Sequence, residues 1–235
     1  MAMAAPINVG GVVWDPDSTF GFPSLTDFAA NGSLIESATN GLPGDTVGGW
    51  GQIDAINSAV NNQASFCPSG CELTFTFTMD LVAVTPTGAT SANFEFNNLL
   101  VNIWVDSFGG GAPATAFDGT LASAGDGALF LSLAGNGSLT GSGDNIGTGS
   151  DDGTGSALLD VTGGLAQGNF DTNQEVNGAD LVFSSSFQPI VDGNGQPTGL
   201  LFGTVDISGN TIPEPASLAL LGLGLLGMGR LRRKA

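Results

Sequence analysis

The sharpest polarity pattern in the chain is ELTFTFTMDLVAV (72–84), where Leu73, Phe75, Phe77 and Met79 alternate with Thr74, Thr76 and Thr78. A period of two puts the apolar set on one face, which predicts a half-buried β-strand. ANFEFNNLLVNIWVDSF (92–108) continues in the same style, with Phe94 and Phe96 inward, a break at Asn97-Asn98, then Val101, Ile103 and Val105. Further strand-like runs are INVGGVVW (7–14), TVGGWGQIDAIN (46–57), ALFLSLAG (128–135), ALLDVTG (157–163), ADLVFSSSFQPI (179–190) and LLFGTVDIS (200–208). Residues 24–37 mix apolar and polar positions and read either as a short helix after Ser24 or as a strand. One helical turn fits around Leu165–Phe170. The stretch 135–156 holds eight glycines in 22 residues and reads as a flexible, solvated Gly/Ser/Asp loop. Short strands punctuated by turn signals predict an all-β fold, an antiparallel β-sandwich of jelly-roll or immunoglobulin-like type. One domain over residues 6–210 is the economical partition, and no internal repeat points to a propeller or solenoid.

Charge changes the picture of what this fold can meet. Of 235 residues, 22 are Asp or Glu and four are Lys or Arg, and those four are Arg230, Arg232, Arg233 and Lys234. Residues 1–229 hold no Lys, Arg or His, so no side-chain salt bridge can form there. Such a body has nothing with which to neutralise phosphates, which excludes nucleic acid and anionic lipid as its partners. Fifteen Phe and three Trp within β-type runs supply a core despite the charge. Cys67 and Cys71 flank a Pro-Ser-Gly turn; with no further Cys and no His to complete a metal site, they read as a structural disulfide of an oxidising exterior. A ring this small is worth about 2 kcal/mol by loop entropy.

The cations lie in TIPEPASLALLGLGLLGMGRLRRKA, where an apolar run of fourteen residues (216–229) separates Pro213-Glu214-Pro215 from the basic cluster. The run is short for a conventional spanning helix, and the basic end favours the cytoplasmic side. A C-terminal hydrophobic targeting helix is therefore expected after the β domain. This tripartite pattern over 211–235 resembles the PEP-CTERM sorting signal of Gram-negative bacteria that make exopolysaccharide. The resemblance implies export, recognition near Pro213-Glu214-Pro215 by an exosortase-type membrane transpeptidase, transient anchoring in the inner membrane, and delivery to the cell surface or the extracellular space. Residues 1–5 (MAMAA) look like the small-residue end of a signal peptide whose earlier part is missing. FCPSGCELTFTF, ALFLSLAG, DVTGGLAQGNFDTN and GADLVFSSSFQP also resemble stretches of a group of PEP-CTERM surface proteins with no assigned activity.

Candidate chemistry is thin. Without His, and with no Lys, Arg or Tyr in the body, triad, Schiff-base and phosphate-clamp mechanisms lack their parts, which leaves carboxylates. Glycoside hydrolysis needs two of them, and the scarce Glu residues are Glu36, Glu72, Glu95, Glu175 and Glu214. Glu95 lies within a strand between Phe94 and Phe96, where alternation turns it to solvent. DTNQEVNGAD places Asp171, Asn173, Glu175, Asn177 and Asp180 around a turn, an oxygen set suited to Ca²⁺ although its spacing departs from an EF-hand. No cofactor is required by these readings. The expected function is non-enzymatic: a structural or adhesive protein of the cell surface or of an exopolysaccharide-associated matrix. The alternative is a lectin-like carbohydrate-binding domain stacking Trp14, Trp50 or Trp104 on sugar rings, with a glycosidase third.

Overall fold

The computed structural model describes residues 5–17, 26–37, 41–107, 116–146, 148 and 150–212. The expected targeting helix, the sorting-signal residues Pro213, Glu214, Pro215, Arg230, Arg232, Arg233 and Lys234, and most of the proposed signal remnant lie outside them.

In chain order the strands are β1 (Ile7–Val9), β2 (Val12–Trp14), β3 (Phe28–Ser37), β4 (Thr46–Ile56), β5 (Cys71–Pro86), β6 (Ala92–Ser107), β7 (Ala128–Gly135), β8 (Leu139–Asp144), β9 (Asp152–Gly163), β10 (Leu181–Val191) and β11 (Pro197–Gly209). Single helical turns occur at α1 (Gln63–Phe66), α2 (Leu121–Ala124) and α3 (Gln167–Phe170), the last where one was expected. Residues 24–37, undecided from sequence, contribute β3.

The antiparallel β architecture expected from the pattern is present, with curved halves of one sheet facing each other across a common core. Each strand from β3 onward pairs with its sequence neighbour except β7 and β8, which lie end to end between β6 and β9. β10 bonds both β9 and β11, and β11 bonds β3, so the sheet closes on itself through Leu200↔Ser37 to Gly209↔Phe28. The connectivity is thus an up-and-down barrel in which, with β7 and β8 taken as one interrupted strand, chain neighbours are sheet neighbours, without the crossed connections of a jelly roll or immunoglobulin domain. Closure leaves the large sheet no open edge.

The stretch 135–156 is not a flexible loop as expected: it supplies β8 and the start of β9, a hairpin with Thr140↔Ser156 and Asp144↔Asp152 in register. Its glycines serve close approach. A Cβ on Gly153 would collide with the Phe187 ring, which lies directly across the pair, and one on Gly141 would come within 2.9 Å of the Thr154 carbonyl oxygen. The same device recurs where Gly49 and Gly51 face Phe77 and Phe75 across β4 and β5, each ring filling the space its partner lacks. The barrel interior is packed by such large–small alternation, and its outward positions are mainly Thr, Ser, Asn and Asp, with Trp50, Trp104, Leu100 and Phe202 scattered among them. That is the reverse of the apolar-out pattern of a membrane-spanning barrel.

One end of the barrel is plugged. The β1–β2 hairpin turns at Gly10 and Gly11, both at positive φ (61° and 93°), and drives Trp14 into the core at 2% exposure. Trp14 packs with Phe28, Phe130 and Phe170 at centroid separations of 6.0, 6.4 and 5.2 Å. Cys67 and Cys71 are bonded, with Cα atoms 5.1 Å apart, and the bond ties α1 to the start of β5 at this same end.

Candidate functional site

The opposite end is open. Between the ends of the strands lies a cavity of about 330 Å³, lined by Phe77 and Met79 of β5, Phe94 and Phe96 of β6, Leu139 of β8, Phe183 and Phe187 of β10 and Leu200 and Leu201 of β11. Most of these are side chains that the period-two pattern turns inward, but small residues (Gly141, Gly143, Gly155, Ser185) replace bulk on the neighbouring strands and leave the space unfilled.

Glu36 projects into this cavity. It closes the inward stripe of β3, after Phe28, Ala30, Gly32 and Leu34, at 7% exposure. No described residue donates a hydrogen bond to its carboxyl group, and the chain before residue 230 offers no cation. Burial alone raises its pKa from 4.5 to about 7. The sequence names Glu36 among the scarce acids without placing it, because residues 24–37 read as either a short helix or a strand. The signal was present in the parity of Phe28, Leu34 and Glu36, which becomes legible once a strand is assumed.

The other carboxylates are satisfied or solvated. Glu95 is exposed on β6 and accepts from Ser138 Oγ at 2.7 Å, as alternation implied. Glu72 is buried under the segment that follows β6, accepting from Phe117 N at 2.9 Å and Gln52 Nε2 at 3.3 Å. Burial pushes its pKa up, the Phe117 N–H opposes the shift, and the nearby carboxylates of Asp106 and Asp126 add to it.

The candidate calcium residues divide. Asp180, at 3% exposure, turns inward: its Oδ1 accepts from Thr172 N and Asn173 N, both at 2.7 Å, and its Oδ2 from Val161 N at 2.8 Å. It pins residues 172–173 to β9. Asp171 accepts from Asn173 Nδ2 at 3.1 Å, and Asn173 and Asn177 adopt left-handed φ values of 53° and 60°. Glu175 is half-buried, its backbone N–H donating to Ala179 O at 2.8 Å. Among the described residues no three Asp, Glu, Cys or His side chains converge as a metal site would need.

Of the three tryptophans, Trp14 is core and unavailable to a ligand, because the plug needs its indole between three Phe rings. Trp50 and Trp104 face outward and half-buried, their Nε1 atoms donating to Gly119 O at 2.9 Å and Thr76 Oγ1 at 3.3 Å. Trp50 borders an open cleft of about 470 Å³ with Leu100, Asn102 and Leu121.

A second outer feature crosses the strands. Register aligns Asn93, Ser142, Thr154, Ser186, Thr204 and Ser33 in one transverse row over β6, β8, β9, β10, β11 and β3. Glu95, Thr140, Ser156, Ser184, Asp206 and Asn31 form the adjacent row. All twelve are exposed or half-buried, and all but Ser33 and Asn31 border a shallow concavity of about 760 Å³. Within the first row Ser186 Oγ and Thr204 Oγ1 lie 2.9 Å apart, and Ser142 Oγ and Thr154 Oγ1 3.3 Å. Strand spacing sets the rows' repeat at about 4.8 Å, and two residues of rise separate them by about 7 Å.

No curated protein and no solved structure matches the chain. The model of the PEP-CTERM protein-sorting motif matches residues 211–234, the segment that begins where β11 has delivered the chain to the plugged end. The motif marks a protein that is exported and sorted by exosortase, a membrane enzyme. The chain thus carries a PEP-CTERM sorting motif directly after its β domain.

Proposed function

We propose that the barrel is a non-enzymatic adhesive module of the cell surface or extracellular matrix, holding neutral, polyhydroxylated polymer on its outer face. The observation that carries this reading is the pair of transverse rows over β6, β8–β11 and β3. Hydroxyl and carboxamide groups there present donors and acceptors at strand spacing, without a cation that would select phosphate or sulfate. Individual contacts of this kind are weak in water, about 1 kcal/mol each, so binding depends on many of them acting along one polymer. Delivery by the sorting motif puts the module where such polymers are secreted.

The test is affinity electrophoresis of residues 5–212 through gels cast with neutral polysaccharides, dextran and hydroxyethyl cellulose among them. Retardation that is lost in a Thr154→Glu/Ser186→Glu double variant is expected. Mobility unaffected by every polysaccharide removes the adhesive reading. A parallel fractionation of internally tagged protein with and without Pro213-Glu214-Pro215 reads delivery separately.

The lectin-like alternative rests on Trp50, whose half-buried indole beside Asn102, Leu100 and Leu121 offers a sugar a stacking surface with a polar neighbour. Trp50→Ala abolishing glycan binding while the Thr154/Ser186 variant preserves it would favour that site over the rows.

A further inference from the structure

We propose that the open end of the barrel binds a small, largely apolar molecule carrying one hydrogen-bond donor, a hydroxyl or an amine, which it seats on the Glu36 carboxyl group. The site is independent of the outer rows and of the sorting motif.

Four observations converge on it. The cavity holds about 330 Å³ in a molecule whose other end is densely plugged by aromatic rings, so the space is not a general looseness of packing. An eight-position barrel is just wide enough either to be filled by side chains or to hold one small ligand, and here the filling stops short at one end. Scaled from the roughly 150 Å³ cavity that takes up benzene, the volume suits a ligand of about a dozen non-hydrogen atoms. The walls are mainly Phe, Met and Leu, which supply affinity by burial.

Glu36 supplies the specificity. A Leu at this inward position would continue the β3 stripe and stabilise the fold, whereas an unpartnered carboxyl costs free energy in the empty barrel. Polar groups retained against stability in a cavity are characteristic of sites that work. The group has acceptor capacity that no described residue uses, and the body contains no Lys, Arg or His that could turn to meet it. The missing donor must therefore come from the ligand. Anionic ligands are excluded by the same arithmetic: Asp151 and Asp152 also border the cavity, and a carboxylate would meet three acids and no cation.

Calorimetric titration at pH 7 of the full chain, kept in detergent for its apolar tail, tests this with four probes on one skeleton: naphthalene, 1-naphthol, 1-naphthylmethylamine and 1-naphthoate. The alcohol or the amine is expected to bind at least tenfold more tightly than naphthalene, and the carboxylate at least tenfold more weakly than either. In Glu36→Leu that preference collapses, and in Glu36→Gln, whose carboxamide oxygen still accepts, the alcohol binds while the amine loses its advantage. An amine advantage that survives in Glu36→Gln, equal binding of all four probes, or preference unchanged in Glu36→Leu overturns the assignment of Glu36. Absence of binding by every probe at millimolar concentration overturns the site. Both variants remove a buried charge and are expected to fold at least as well as the parent, so a null result is interpretable. A detergent-only titration sets the baseline.

Discussion

Replacing Glu36 by Gln should make the protein more stable, and by an amount that depends on pH. In the folded barrel the carboxyl titrates at about 7, against 4.5 when free of the fold, because burial disfavours its charged form. Between those values the folded state keeps a proton that the unfolded chain has released, so unfolding free energy falls as pH rises through the window. At about 1.4 kcal/mol per pKa unit, the full shift amounts to about 3 kcal/mol. The sign follows directly: the parent bears no penalty below pH 4.5 and nearly all of it by pH 8. Gln is neutral throughout and nearly isosteric, so the stability gap between variant and parent should grow from about 1 kcal/mol at pH 5 to about 3 kcal/mol at pH 8. For a chain of this size that upper figure corresponds to a rise in Tm of roughly 6–12 °C. Urea unfolding followed by tryptophan fluorescence at pH 5, 6, 7 and 8 measures both proteins. Other buried acids, Glu72 among them, add slope of the same sign to each protein, so only the difference between the two curves is diagnostic. Parallel curves, with a gap that does not change by 1 kcal/mol between pH 5 and pH 8, would refute a buried, unpartnered Glu36.

Three further outcomes bear on other parts of the molecule. Asp180→Ala leaves the N–H groups of Val161, Thr172 and Asn173 without their acceptor and should cost about 3 kcal/mol, measured by urea unfolding; a loss under 1 kcal/mol would mean water replaces the carboxylate freely. Since Asp180 is committed to the backbone, thermal melts in EDTA and in millimolar Ca²⁺ should coincide, and a Ca²⁺-dependent rise in Tm would reinstate the 171–180 site. Gly51→Val drives a side chain into Ser33 O and the Phe75 ring and should destabilise by at least about 2 kcal/mol, with partial recovery in Gly51→Val/Phe75→Leu, read by the same melts.

How much of this could be read from the sequence differs from strand to strand. β5 was fully legible because Leu, Phe and Met alternate with Thr, and the break in β6 was legible from Asn97-Asn98, where Asn98 takes a left-handed φ of 53° and its side chain bonds Asp80. β3 was not, because its inward positions are Phe, Ala, Gly, Leu and Glu, a stripe whose apolar signal is diluted where facing strands supply the bulk. β8 and the start of β9 were mistaken for a loop for the same reason. Their glycines answer to the rings across the barrel, such as Phe187 against Gly153, and composition alone does not reveal what stands opposite. The cavity was hidden likewise, since its volume is the sum of small residues on several strands. The disulfide needed only local spacing and was read correctly.

The seam between β3 and β11 joins residues 28–37 to residues 200–209, a far longer span of chain than any other pairing in the barrel bridges. Thr211 N then donates to Asp27 Oδ2 at 3.0 Å, and Ile212 N to Asn169 O at 2.7 Å, so the first residues of the sorting motif are the last to be built into the fold. The local hairpins can form one after another as the chain emerges, but the ring cannot close until β11, the strand directly before the motif, has arrived. Closure and sorting thereby share one stretch of chain: the motif follows, with almost no slack, the strand that completes the barrel.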